Sequence, residues 1–152
     1  MKEKLQEYAL LAEIIGGIAI VASLLFVGLQ IQQNTNLSKA NAYRETIQEI
    51  ADWRELVATN SDIRDCFRRY SDLENYNTLT ECPMLGLMLN NIFGIYETAY
   101  FDKMYGFIGE SEWARLEAGV CVHYLTATSR KFNFSYITEE FKGYLGENCK
   151  LQ

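Results

Sequence analysis

Residues 12–35 read AEIIGGIAIVASLLFVGLQIQQNT, and this stretch limits the fold more than any other. Between Ile14 and Leu29 there are 16 residues with no charge and no strongly polar side chain. Extended to Ala9 and Ile31, the run has 23 residues and Glu13 is its only charge. At about 1.5 Å per residue such a helix measures about 34 Å, enough to cross a hydrocarbon core about 30 Å thick. A helix packed in a soluble core would show a polar face, whereas residues 14–29 are apolar or small all round. A signal peptide fits less well. The amino-terminal flank sets Lys2 and Lys4 against Glu3, Glu7 and Glu13, and no small-x-small cleavage site follows closely after the apolar run. The sequence therefore predicts a retained transmembrane helix over residues 1–34 and a separate domain over residues 35–152.

Two details inside the span bear on function. Ala12, Gly16, Ala19 and Ser23 recur at spacings of four, three and four, which puts small residues in one stripe where helices can approach closely in lipid. Glu13 lies about one turn inside the apolar boundary. It is either a carboxylate snorkelling to the interface or one that faces other protein. Orientation is nearly balanced. Lys2, Lys4 and the amino terminus stand on one side, and Lys39 and Arg44 on the other.

Glu13, Gly16, Gly17, Gln30, Ile31, Asn34 and Thr35 resemble the start of a group of uncharacterised bacterial single-pass membrane proteins. In that group a Gly-rich span is followed by Gln-Ile-Arg-x-Asn-Thr and a helical domain. The aromatic-rich IFGIYETAYFDKMYGFIGESEW, with Glu97 inside it, is similar to the group's later part. Gln32 stands where the group has Arg, which removes the basic anchor that would hold the following domain in the cytoplasm. The resemblance implies topology, a bacterial inner-membrane location and a helical fold. It implies no activity.

Net charge separates the remaining classes. After Gln33 the chain holds 12 Lys and Arg against 17 Asp and Glu. No basic stripe is available for nucleic acid, and an acidic domain gains nothing at an anionic lipid surface. Attachment to a bilayer must come from apolar burial. Of the four cysteines, Cys66, Cys82, Cys121 and Cys149, none form Cys-x-x-Cys. Buried thiols are the plainer expectation. Two disulfides are the alternative, and they require an oxidising compartment.

Beyond the span the periodicity is helical throughout, and the expected fold is all-α, a small antiparallel bundle of four or five helices. Ala40, Tyr43, Ile47, Ile50, Trp53 and Val57 form the first apolar stripe. The TNSD at Thr59–Asp62 breaks it and caps a short helix to about Tyr70. SDLENYNTLTECP reads as a long loop. From Pro83 a helix to about Tyr105 presents Leu85, Met88, Leu89, Ile92, Tyr96, Ala99 and Tyr100. Within it, Met84–Phe101 is apolar enough to raise a second span, but Asn90, Asn91, Glu97 and Thr98 make a buried central helix the better reading. GFIGES turns the chain, and Ser111 is expected to cap a helix with Trp113, Leu116, Val120, Tyr124 and Ala127 inside. A last helix starts near Thr138, with Ile137, Phe141, Tyr144 and Leu145 on its apolar side.

Catalytic groups are scarce. His123 is the only histidine. Cys121 is two residues away and points about 200° from it on a helix, so a local dyad fails. No Glu-x-x-His pair or phosphate loop is present. No catalytic, cofactor-binding or metal-binding residue is assigned, and no cofactor is expected. Glu97 and His123 remain as buried polar candidates within the bundle. Three functions follow in order. The first is a membrane-anchored helical interaction protein without catalytic activity, acting as a homo-oligomer or as an accessory subunit among other membrane protein subunits. The second is an oligomeric pore with Glu13 at its mouth. The third is a small-ligand sensor or enzyme with a pocket near Glu97 and His123.

Overall fold

The computed structural model describes residues 2–71, 82–129 and 132–150. Every regular element among them is a helix: α1 (Lys2–Thr59), α2 (Ser61–Ser71), α3 (Pro83–Met104), α4 (Glu110–Ser129) and α5 (Glu139–Asn148). The chain divides into two units, Met1–Ser38 and Lys39–Gln152. α1 runs through Thr35 and Asn36 without a break. The hydroxyl of Thr35 turns back to the Ile31 carbonyl at 2.9 Å, so this polar side chain is satisfied without breaking the helix.

The first unit is helix alone. It contains the one helix, among the described residues, that is long and apolar enough to cross a membrane. Its large apolar side chains are uncovered: Ile18 is 65% exposed and Leu24 67%. No residue of its most apolar stretch is buried.

The second unit is a helical bundle with a shared core, built from the end of α1 and from α2 to α5. All seven apolar residues expected on α3 are buried, and Phe93 joins them. That burial also accounts for the apolar run Met84–Phe101, which is the centre of a bundle and not a second span. The stripe on α1 is rotated from its expected position. Ile50 and Trp53 are buried, but Ile47 is 43% exposed and Ala40 is exposed, while Thr46 is buried in their place. Thr46 can enter the core because its hydroxyl donates to the Ala42 carbonyl at 3.0 Å, leaving only its methyl to pack.

Local signals set the helix boundaries. Asn60 caps α2, its side-chain oxygen accepting from the Asp62 and Ile63 amides at 3.0 and 3.1 Å. At the end of α3, Gly106 takes φ +74. Its amide reaches the Lys103 carbonyl while the Phe107 amide reaches that of Asp102, the paired bonds of a Schellman motif. The helix after this turn is capped by Gly109 and not by Ser111. Glu112 reaches back to the Gly109 amide at 2.8 Å, which is the return arm of a capping box. Thr138 caps α5 and accepts from the Phe141 amide at 3.3 Å. The long loop expected after Ser71 falls largely on residues 72–81, outside the described residues.

The cysteines are not free thiols. Cys66 pairs with Cys82 and Cys121 with Cys149, with Cα–Cα distances of 6.0 and 4.9 Å. One bond ties α2 to the residue preceding α3, and the other ties α4 to the C-cap of α5. Separations of 16 and 28 residues carry no pairing signal in a sequence. Only the packing of α2 on α3 and of α5 on α4 brings each pair within bonding reach.

Candidate functional site

The two polar residues singled out in the bundle do not form one site. Glu97 is half-buried and accepts the Thr138 amide at 2.6 Å. Its carboxylate thus satisfies a backbone donor at the cap of α5 and fixes where that helix starts. His123 lies with different neighbours. Its Nδ1 is 2.9 Å from the Tyr96 hydroxyl, its ring stacks on Tyr96, and Trp53 approaches it edge-on. Burial pushes the Tyr96 phenol up to about 12, against a smaller lowering from Arg54. Tyr96 therefore keeps its proton at neutral pH, and its hydroxyl and His123 Nδ1 share one hydrogen bond whose direction follows the tautomer of the ring.

The same burial, helped by the Arg54 charge, lowers the His123 pKa from its ordinary 6.5. The unfolded chain then binds a proton at higher pH than the folded one. Stability from this group is complete above about pH 6.5 and declines as pH falls from there through the lowered folded value. Urea titrations of the full chain between pH 7.5 and pH 5 should show this slope, and His123→Gln should flatten it. An identical slope in the variant would assign the pH dependence to other groups.

A second polar network lies between α4 and α5. Trp113 donates its indole N–H to the Tyr144 hydroxyl at 2.8 Å, and Tyr144 donates to Glu117. Burial first, then the Glu117 bond, raises the Tyr144 phenol to about 12. Tyr100 and Phe141 pack around the same ring at 4.8 and 6.4 Å between centroids. This network is fully partnered and acts as core.

An open cleft of about 500 Å³ lies between the end of α1 and α3. Glu49, Asp52, Trp53 and Leu56 form one wall, and Leu87, Met88, Asn91 and Ile95 form the other. The Trp53 indole donates to the Met88 carbonyl at 3.0 Å and joins the walls at the base. Neither Glu97 nor His123 lines the cleft. The sequence signal it left was slight: Leu56 and Leu87 are apolar residues off their helices' core stripes.

In the first unit, Ala12, Gly16, Ala19 and Ser23 share one exposed face, and a Cβ built on Gly16 would meet nothing within 4 Å. Ile14, Gly17, Ile18, Val21, Ala22 and Leu25 lie together on another exposed face of the same helix. At about 100° per residue these two faces are centred about 160° apart. Glu13 is exposed and falls between them. Ile20, Leu24 and Ile31 are stacked on its side of the helix. Comparison with protein-family models, with curated proteins and with solved structures finds no match to this chain.

Proposed function

We propose that this chain is a membrane-anchored helical interaction protein. Residues 10–31 span the bilayer once, and the disulfide-closed domain associates with further copies or with other membrane protein subunits. The carrying observation is the bare apolar helix, because a continuous run of Ile, Leu, Val and Phe side chains left uncovered requires apolar surroundings. The two disulfides favour one of the two orientations that the flanking charges leave balanced. They belong on the oxidising face of the membrane, with Lys2 and Lys4 on the reducing face. Under the resemblance to bacterial single-pass proteins, the membrane is the inner membrane and the domain is periplasmic. Gln32 in place of a basic anchor agrees with that orientation.

Two helix faces about 160° apart allow a span to contact more than one neighbour at once. The pore reading has less support, since Ile20, Leu24 and Ile31 on the Glu13 side offer water no polar lining. Full-length protein extracted in mild detergent should run as an oligomer or a complex. Gly16→Leu with Ala19→Leu should reduce that assembly, and the space around Gly16 means the chain's own fold tolerates the change. An unchanged native mass in the double variant would remove the small-residue face from the account. A lone monomer in the wild type would overturn the proposal itself.

A further inference from the structure

We infer that the cleft between the end of α1 and α3 receives a basic amphipathic helix of a partner protein. The inference rests on the reading of the chain as an interaction protein and names the chemistry of its partner. Its base is apolar, with Trp53, Met88 and Ile95 in it. The only polar atom of the Trp53 side chain is already bonded to the Met88 carbonyl, so that ring offers an occupant hydrocarbon surface alone. Leu56 and Leu87 stand on the rims at 47% and 64% exposed. Apolar rims flanking an open furrow suit a helix laid lengthwise, with side chains at i, i+3 or i+4, and i+7 entering it.

Charge selects among the possible occupants. Glu49 and Asp52 stand one turn apart on the α1 wall, both exposed. Neither meets a Lys or Arg at ion-pair distance among the described residues. Asp52 accepts only from Gln48, at 2.8 Å. Among the described residues no cation lines the cleft. A second copy docked face to face would therefore bring two sets of these carboxylates together, which like-charge repulsion opposes. A helix with Lys or Arg beside its apolar stripe neutralises them instead. The excess of acids over bases in the whole domain, 17 against 12, steers the same kind of partner.

The test places a photo-crosslinking residue, benzoylphenylalanine, at Leu87 of the full-length chain in its own membranes. Leu87 is exposed, so the fold should accept the change. The expected product is an adduct with a different protein, mapped by mass spectrometry to a helical segment bearing apolar residues at helical spacing and at least two Lys or Arg. Glu49→Lys with Asp52→Lys should lower its yield about tenfold, with both disulfides intact in the variant. An adduct of this chain with itself overturns the inference. So does an adduct with a segment lacking basic residues, an unchanged yield in the charge variant, or no protein adduct. If other chains still co-purify while Leu87 captures none, the docking site falls and the interaction reading stands. A monomer without companions removes both.

Discussion

Replacing Cys121 and Cys149 together with serine is expected to lower the unfolding free energy by about 3.6 kcal/mol, and replacing Cys66 with Cys82 by about 3 kcal/mol. These values follow from the loop entropy that closures of 28 and 16 residues remove from the unfolded chain. Loss of both bonds is a large fraction of the ~5–15 kcal/mol that holds a typical domain folded. Urea unfolding of the full chain, with and without a reductant, measures the effect. A companion experiment tests the compartment. Chain taken from its native cells under thiol-blocking conditions should show no reactive thiol before reduction and four afterwards. Four reactive thiols at the outset would place the domain on the reducing face and cancel the proposed orientation.

Trp53→Ala should cost about 3–5 kcal/mol, the range for removing a buried aromatic side chain from a core that cannot close the gap. Trp53 is 8% exposed. It packs on Phe67 and His123 at 5.6 Å between centroids and bonds the Met88 carbonyl, so it joins the end of α1 to α2, α3 and α4 at one point. For a domain of this size the loss corresponds to a fall in Tm of roughly 10–30 °C. Trp53→Phe keeps most of the packing and loses the hydrogen bond, so about 1–2 kcal/mol is expected. Hydrogen exchange should show residues 43–59 exposed first in Trp53→Ala. Equal protection in variant and wild type would mean that Ile50 and Thr46 hold this segment without the indole.

Both predictions depend on different amounts of tertiary information. The core stripes of α3 and α4 are readable because a long helix with one buried face must repeat its apolar residues every three to four positions. Pro83, Gly106 and Thr138 mark boundaries through backbone chemistry that acts within a turn. Where a short-range signal has competitors, local sequence does not decide between them. Ser111 is a good cap residue, but Gly109 holds that position because Glu112 sits where it can return to the Gly109 amide. Ile47 is apolar, yet it lies outside while Thr46 lies inside, since the direction in which α1 meets the bundle is set by Trp53 and Ile50 together.

The sequence by itself determined the helical class, the uninterrupted apolar run of residues 14–29 and the acidic balance of the domain, all properties of composition and local periodicity. Only the tertiary structure decided which cysteines pair, that Glu97 serves the cap of α5, that His123 is held by Tyr96, and that Glu49 and Asp52 border a cleft with Leu87. These are contacts between residues 16 to 41 positions apart, or between separate helices. They depend on how helices pack against one another, and no single helix's spacing encodes that.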